Sequence, residues 1–308
     1  MNIESICKDK ILIYKKEYDM KGIWLPIITP FKNDEFDIKS YKRMIDYYIS
    51  QGISGIIPAG TTGESPALLD YEMELLLHTT LEYVNGRVPV FFGHGGNYTK
   101  KVIKGLDRLH HTGVKGILSV CPYYNRPNQA GIVEHFSAIS ESTDLEILMY
   151  NIPYRTGRNM ENETILKLAE KENIVALKDA SGDFTQSTEL LMHKPENFSI
   201  LSGEDPTLFA SLALGGDGGI VASAHLNTSK YMDLYNYFQK NELAKAKGVW
   251  DKLYPIIPYL FNEPNPAPLK HILKEMHLID CGELRLPMTP CTDEYMKILA
   301  PFIQQLVR

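Results

Sequence analysis

Five short stretches of this 308-residue chain gather residue types that could do chemistry: AGTTGES (59–65), CPYYNRP (121–127), YNIPYRTG (150–157), LKDASGD (177–183) and LSGED (201–205). Lys178 ends the run 173–178, in which Ile174, Ala176 and Lys178 share one face of a strand and Val175 and Leu177 the other. If Val175 and Leu177 face outward, Lys178 points into the protein. An ammonium there is partly desolvated, its pKa falls, and the neutral amine can attack a carbonyl to form a Schiff base. A strand-end lysine can equally snorkel to solvent. Tyr150 ends a second run with the parity of Leu148, so its phenol can stand beside Lys178 and move protons, or simply fill a core as many of the 18 tyrosines must.

The turn Gly60-Thr-Thr-Gly-Glu-Ser offers backbone N–H groups and the hydroxyls of Thr61 and Thr62, a nest suited to a small carboxylate. It lacks the Gly-Lys-Ser/Thr ending of a nucleotide loop. Arg155 could clamp a carboxylate in bidentate fashion or merely occupy a loop. Metal chemistry is disfavoured: the nine histidines form no HxH or HExxH, His110 and His111 are adjacent, and His94 and His225 have no carboxylate close in sequence. No metal and no cofactor is expected.

These stretches must be positioned by regular elements, and the periodicity supplies them. Short apolar, β-branched runs at 22–29, 53–59, 88–93, 116–121, 145–151, 173–178, 198–202 and 219–223 alternate with amphipathic segments such as 38–50 and 69–84. Eight such units predict a closed (β/α)8 barrel over 22–239, in which the five stretches fall at C-terminal strand ends, where barrel enzymes build their sites. A doubly wound sheet is the alternative, but WLPIITPFKND replaces any GxGxxG after the first strand. LGGDGG (214–219) suits either a phosphate-binding loop or a tight join between helix and strand. Residues 240–308 predict a helical extension broken by FNEPNPAPLK, and 1–21 an N-terminal extension.

A net charge of −6 with no long basic run argues against nucleic-acid and anionic-membrane partners. The four cysteines, Cys7, Cys121, Cys281 and Cys291, form no CxxC pair, and the first twenty residues hold no apolar core of signal-peptide length. A cytoplasmic protein with reduced thiols is expected.

Taken in order, TPF (29–31), GTTGES, PYYNRP, YNIPYRTG, ALKDASG and LSGED make the chain resemble the dihydrodipicolinate synthase family, within the N-acetylneuraminate lyase superfamily, over about residues 20–290. The resemblance implies a class I, pyruvate-dependent aldolase of lysine and diaminopimelate biosynthesis, assembled as a homotetramer of tight dimers. By that similarity Lys178 carries the Schiff base, Tyr150 relays protons, and Thr61 and Thr62 bind the pyruvate carboxylate. Tyr124 reaches across a dimer interface to complete a relay with Thr61 and Tyr150; Arg155 recognises the carboxylate of L-aspartate 4-semialdehyde; Gly203 and Ile220 supply backbone contacts to pyruvate.

Some positions depart from the family pattern. Asp70, Met73 and Lys101 replace the two histidines and glutamate of lysine-inhibited relatives, although Ser65, Asn97 and Tyr123 persist, so feedback inhibition by lysine is not expected. His94 stands where a small hydroxyl residue is usual, and Tyr154 where a small residue is common. These leave open a sibling lyase or dehydratase acting on a sugar acid of the N-acetylneuraminate or 2-keto-3-deoxygluconate type. An idle barrel kept for binding is a third reading, set against the joint presence of Lys178, Tyr150, Tyr124, Thr61 and Arg155.

Overall fold

A computed structural model describes residues 20–307, so the N-terminal extension, apart from Met20 and Lys21, lies outside the described residues, as does Cys7. Eight parallel strands form one sheet: β1 (Gly22–Leu25), β4 (Gly55–Ile56), β5 (Phe91–Gly93), β6 (Gly116–Val120), β7 (Glu146–Asn151), β8 (Ile174–Asp179), β9 (Ser199–Ser202) and β10 (Gly218–Ile220). Their order is β4-β1-β10-β9-β8-β7-β6-β5, and a parallel bridge from Ile56 to Val90 joins the two ends. The predicted barrel is therefore present, with each predicted run overlapping one strand. The two further strands, β2 (Phe31–Lys32) and β3 (Glu35–Phe36), pair as an antiparallel hairpin.

Side-chain alternation separates two cores. Trp24, Ile57, Phe91, Leu118, Leu148, Tyr150, Ala176, Leu201 and Ile220 fill the barrel, joined by Met20, while Ile23, Leu25, Ile56, Phe92, Ile117, Met149, Leu177 and Ile200 face the helices. One parity assignment needs correction. The register between β7 and β8 slips between Ile147 and Leu148, which pair with Ile174 and Ala176, so Val175 is the extra residue of a bulge. Ile174 consequently packs outward and Val175 against the barrel interior, the reverse of the simple alternation. Past the bulge the alternation resumes, and Lys178 shares the inward face of Ala176.

The helices form where their periodicity placed them. Ile38–Ser50 buries Tyr41, Met44, Ile45 and Tyr48, and Asp37 caps it by accepting the Ser40 N–H at 3.0 Å. Asp70–Val84 starts with the Glu72 carboxylate accepting the Leu69 N–H at 2.8 Å. LGGDGG proves to be a packing join: a Cβ on Gly218 would sit 1.9 Å from the Gly22 carbonyl oxygen, and the Asp217 carboxylate accepts the Ile200 N–H at 2.8 Å. Beyond residue 240 come helices Leu243–Leu253, Ala267–Glu275 and Asp293–Val307. Among the described residues no helix is long and apolar enough to cross a membrane.

Candidate active site

The C-terminal mouth of the barrel collects the residues singled out in the sequence. Lys178 on β8 pairs in register with Tyr150 on β7, and its Nζ lies 4.4 Å from the centre of the Tyr150 ring. Both are buried, at 6% and 5% exposure. Burial drives the Lys178 ammonium down to about 8, Asp205 and Glu204 pull the other way, and Arg155 adds to the fall. The same burial lifts the Tyr150 phenol above its ordinary value, with the Thr61 side chain acting as a hydrogen-bonding neighbour that opposes the rise. At neutral pH the mouth thus holds a lysine of which about a tenth is the neutral, nucleophilic amine, beside a protonated phenol.

Strand β9 closes the space beneath the lysine. A Cβ on Gly203 would come within 2.9 Å of Lys178 Cγ and 3.0 Å of Cε, so only glycine lets the aliphatic stem lie flat there. Ile220 on β10 is buried in the same interior cluster as Tyr150. Two carboxylates of LSGED, Glu204 and Asp205, face the lysine electrostatically. Glu204 is raised to about 7 by burial and by neighbouring Asp205. Asp205 is buried and also raised by desolvation, although the Ser223 N–H donates to it at 2.6 Å and Ser223 in turn accepts from the Tyr231 hydroxyl at 2.6 Å. A Glu-Asp pair beginning two residues past the end of a barrel strand is the signal that could have found them.

The turn after β4 brings Thr61 and Thr62 to the rim. Thr62 is buried and its hydroxyl accepts from Asn265 Nδ2 at 3.0 Å. The Gly63 carbonyl accepts from Thr29 Oγ1 at 2.7 Å, which gives the TPF stretch its local purpose. Arg155 sits on the short helix Pro153–Thr156, over the Tyr154 ring at 5.1 Å, with Nε donating to the Tyr154 hydroxyl at 3.2 Å. Tyr154 therefore orients the guanidinium that acts on Lys178 and Tyr150 through its charge.

Three residues lie elsewhere or serve other ends. Tyr124 is 89% exposed at φ +71°, projecting from the β6 loop instead of reaching the mouth of its own barrel. His94 turns away too: its Nε2 pairs with the Val102 carbonyl at 2.8 Å and its ring packs on Gly105, tying down helix Thr99–Gly105. His225 is buried as well, with Nδ1–H donating to the Ala222 carbonyl at 2.8 Å and Nε2 accepting the Ile28 N–H at 3.3 Å, a structural role. Among the described residues no cluster of His, Cys, Asp and Glu could hold a metal ion.

Residues 19–306 match the dihydrodipicolinate synthetase family. The chain belongs to that family. The chain is 50% identical over 284 residues, 92% of its length and 99% of the other, to 4-hydroxy-tetrahydrodipicolinate synthase 2 of Clostridium acetobutylicum. It is 38% identical to the synthase of Thermotoga neapolitana, covering 92% of this chain and 98% of that one. The crystal structure of dihydrodipicolinate synthase from Thermotoga maritima superposes with a TM-score of 0.91 at 37% identity, covering 94% and 99% of the two chains. A structure described as the first monomeric dihydrodipicolinate synthase variant superposes at 0.90 with 37% identity, covering 92% and 96%.

Proposed function

We propose that the protein condenses pyruvate with L-aspartate 4-semialdehyde to give 4-hydroxy-tetrahydrodipicolinate, using Lys178 as a Schiff-base nucleophile. The observation that carries the proposal is the buried amine of Lys178, held at 4.4 Å over the Tyr150 ring with its pKa brought down to about 8. The amine attacks the pyruvate ketone and water leaves as the imine forms. Loss of a methyl proton gives the enamine, whose carbon attacks the aldehyde; the amine of the adduct then displaces Lys178 and closes the ring. Tyr150, Thr61 and Tyr124 relay the protons, and no external cofactor is required.

In this reading the backbone amides at Thr61 and Thr62 hold the pyruvate carboxylate, Gly203 and Ile220 contact pyruvate through their backbones, and Arg155 holds the semialdehyde's carboxylate. Because Tyr124 leaves its own barrel, a second copy receives it, which favours a dimer-based homotetramer. Residues 22–239 serve as the catalytic barrel and 240–308 as its helical support. The three described cysteines are free thiols, with burial pushing Cys121 up to about 12, as suits a protein of the cytoplasm.

The test offers the enzyme pyruvate and L-aspartate 4-semialdehyde with a coupled reductase, alongside N-acetylneuraminate and 2-keto-3-deoxygluconate. Turnover of the semialdehyde supports the proposal. Turnover confined to the sugar acids refutes the substrate assignment and leaves a sibling lyase.

A further inference from the structure

The turn that carries Thr61 and Thr62 is held from behind by a segment two hundred residues away. Glu64 closes the turn in a left-handed conformation, φ +53°, with its N–H donating to the Thr61 carbonyl at 3.0 Å. A non-glycine residue adopts that conformation only where its surroundings fix it. Here the side chain does so: Glu64 Oε1 meets Lys270 Nζ at 2.5 Å, with 3% and 0% of the two side chains exposed. Lys270 is fixed in turn, donating to the Glu283 carbonyl at 2.8 Å and lying 4.2 Å from the centre of the Phe31 ring, which Arg285 also approaches at 4.2 Å. Five residues earlier, Asn265 donates to Thr62 Oγ1 at 3.0 Å. Both supports come from the stretch NPAPLK, which lies outside the eight barrel units.

A buried ion pair can commonly be replaced by apolar residues of like volume at no cost in stability, so stability alone is a poor reason for Glu64 and Lys270. What the pair supplies is direction. A charge that must point at one partner fixes the backbone that bears it, and that backbone aims the amides of the turn. We infer that Glu64, Lys270 and Asn265 are positioning residues that set the carboxylate-binding turn for the first half-reaction, so that the C-terminal helical segment completes the pyruvate site. The inference rests on assigning the pyruvate carboxylate to the Thr61 and Thr62 amides.

Lys270→Met alone strands a buried carboxylate and threatens folding, so the test uses the double variant Glu64→Gln, Lys270→Met together with Asn265→Ala, which leaves the ion pair intact. Pyruvate is titrated in borohydride trapping, and kcat/KM is measured separately for pyruvate and for the aldehyde. The pyruvate concentration for half-maximal trapping should rise about tenfold or more in the double variant and several-fold in Asn265→Ala, on the scale expected for displacement of a binding group by a fraction of an ångström. In both, kcat/KM for the aldehyde should stay within about twofold. A pyruvate midpoint unchanged in Asn265→Ala and in the folded double variant overturns the inference, as does an equal fall in both half-reactions. If the double variant does not fold, Asn265→Ala decides alone. Failure of the parent enzyme to trap pyruvate is a separate result, one that removes the site assignment itself.

Discussion

Lys178 illustrates how much of a site one residue's surroundings can write. Its ammonium loses hydration at the barrel mouth faster than the acidic neighbours Asp205 and Glu204 restore its charge, and the balance falls at about 8. With the folded-state pKa below that of a free lysine, the neutral amine grows with pH, from about a tenth at pH 7 to most of the population above pH 9. We therefore predict that kcat/KM for pyruvate climbs about tenfold per pH unit below neutrality and levels above about pH 8. A pH-independent rate down to pH 6, or a midpoint near the ordinary lysine value of 10.5, would show the amine is not tuned in this way. Lys178 and Tyr150 were legible in the sequence because strand parity past an apolar run points a residue inward. Glu204 and Asp205 were not, because their effect depends on the depth at which β9 leaves them. His94 could not be placed either: its ring is claimed by the Val102 carbonyl, a contact between neighbours on a loop and helix that no strand or helix period encodes.

Strands and helices long enough to show a period were readable, and shorter ones were not. The hairpin of β2 and β3 has two residues per strand, too few to alternate; it forms because Asn33 and Asp34 accept positive φ, at +56° and +63°, in a two-residue turn. The bulge at Val175 escaped for a related reason, since alternation assumes a register that only the neighbouring strand can break. In the proposed function the loop after β6 bears on catalysis through Tyr124. It holds Tyr124 at φ +71° and almost wholly in solvent, anchored by Asn97 Nδ2 donating to the Tyr123 carbonyl at 3.1 Å and by the Tyr124 N–H donating to the Thr156 carbonyl at 3.4 Å. A backbone fixed that firmly, presenting a bare phenol, suits delivery to a second copy. Tyr124→Phe should lower kcat by about 10²-fold, the scale of a lost proton relay, with assembly measured by analytical ultracentrifugation unchanged. Full activity in that variant would exclude the relay; restoration of activity by mixing Tyr124→Phe with an equally inactive Lys178→Ala chain would show that the tyrosine crosses between copies.

At the scale of the whole molecule, the acidic chain must bind anionic ketoacids against its own net charge of −6. In the proposed reading local donors answer this: the Arg155 guanidinium, the Lys178 amine and the amides of the GTTGES turn, set against the nearby carboxylates of Glu204 and Asp205. The barrel could be counted from the sequence because each βα unit repeats the same pattern. The inward reach of the C-terminal segment could not, since the contacts from Asn265 to Thr62 and from Lys270 to Glu64 join residues some two hundred positions apart. The central proposal is that Lys178 forms a covalent imine with pyruvate. Borohydride reduction in the presence of pyruvate, followed by peptide mass mapping, tests it directly. One reduced pyruvyl adduct per chain is expected, on the peptide containing Lys178 and lost in Lys178→Ala; an unmodified Lys178, or an adduct on another lysine, would contradict the imine.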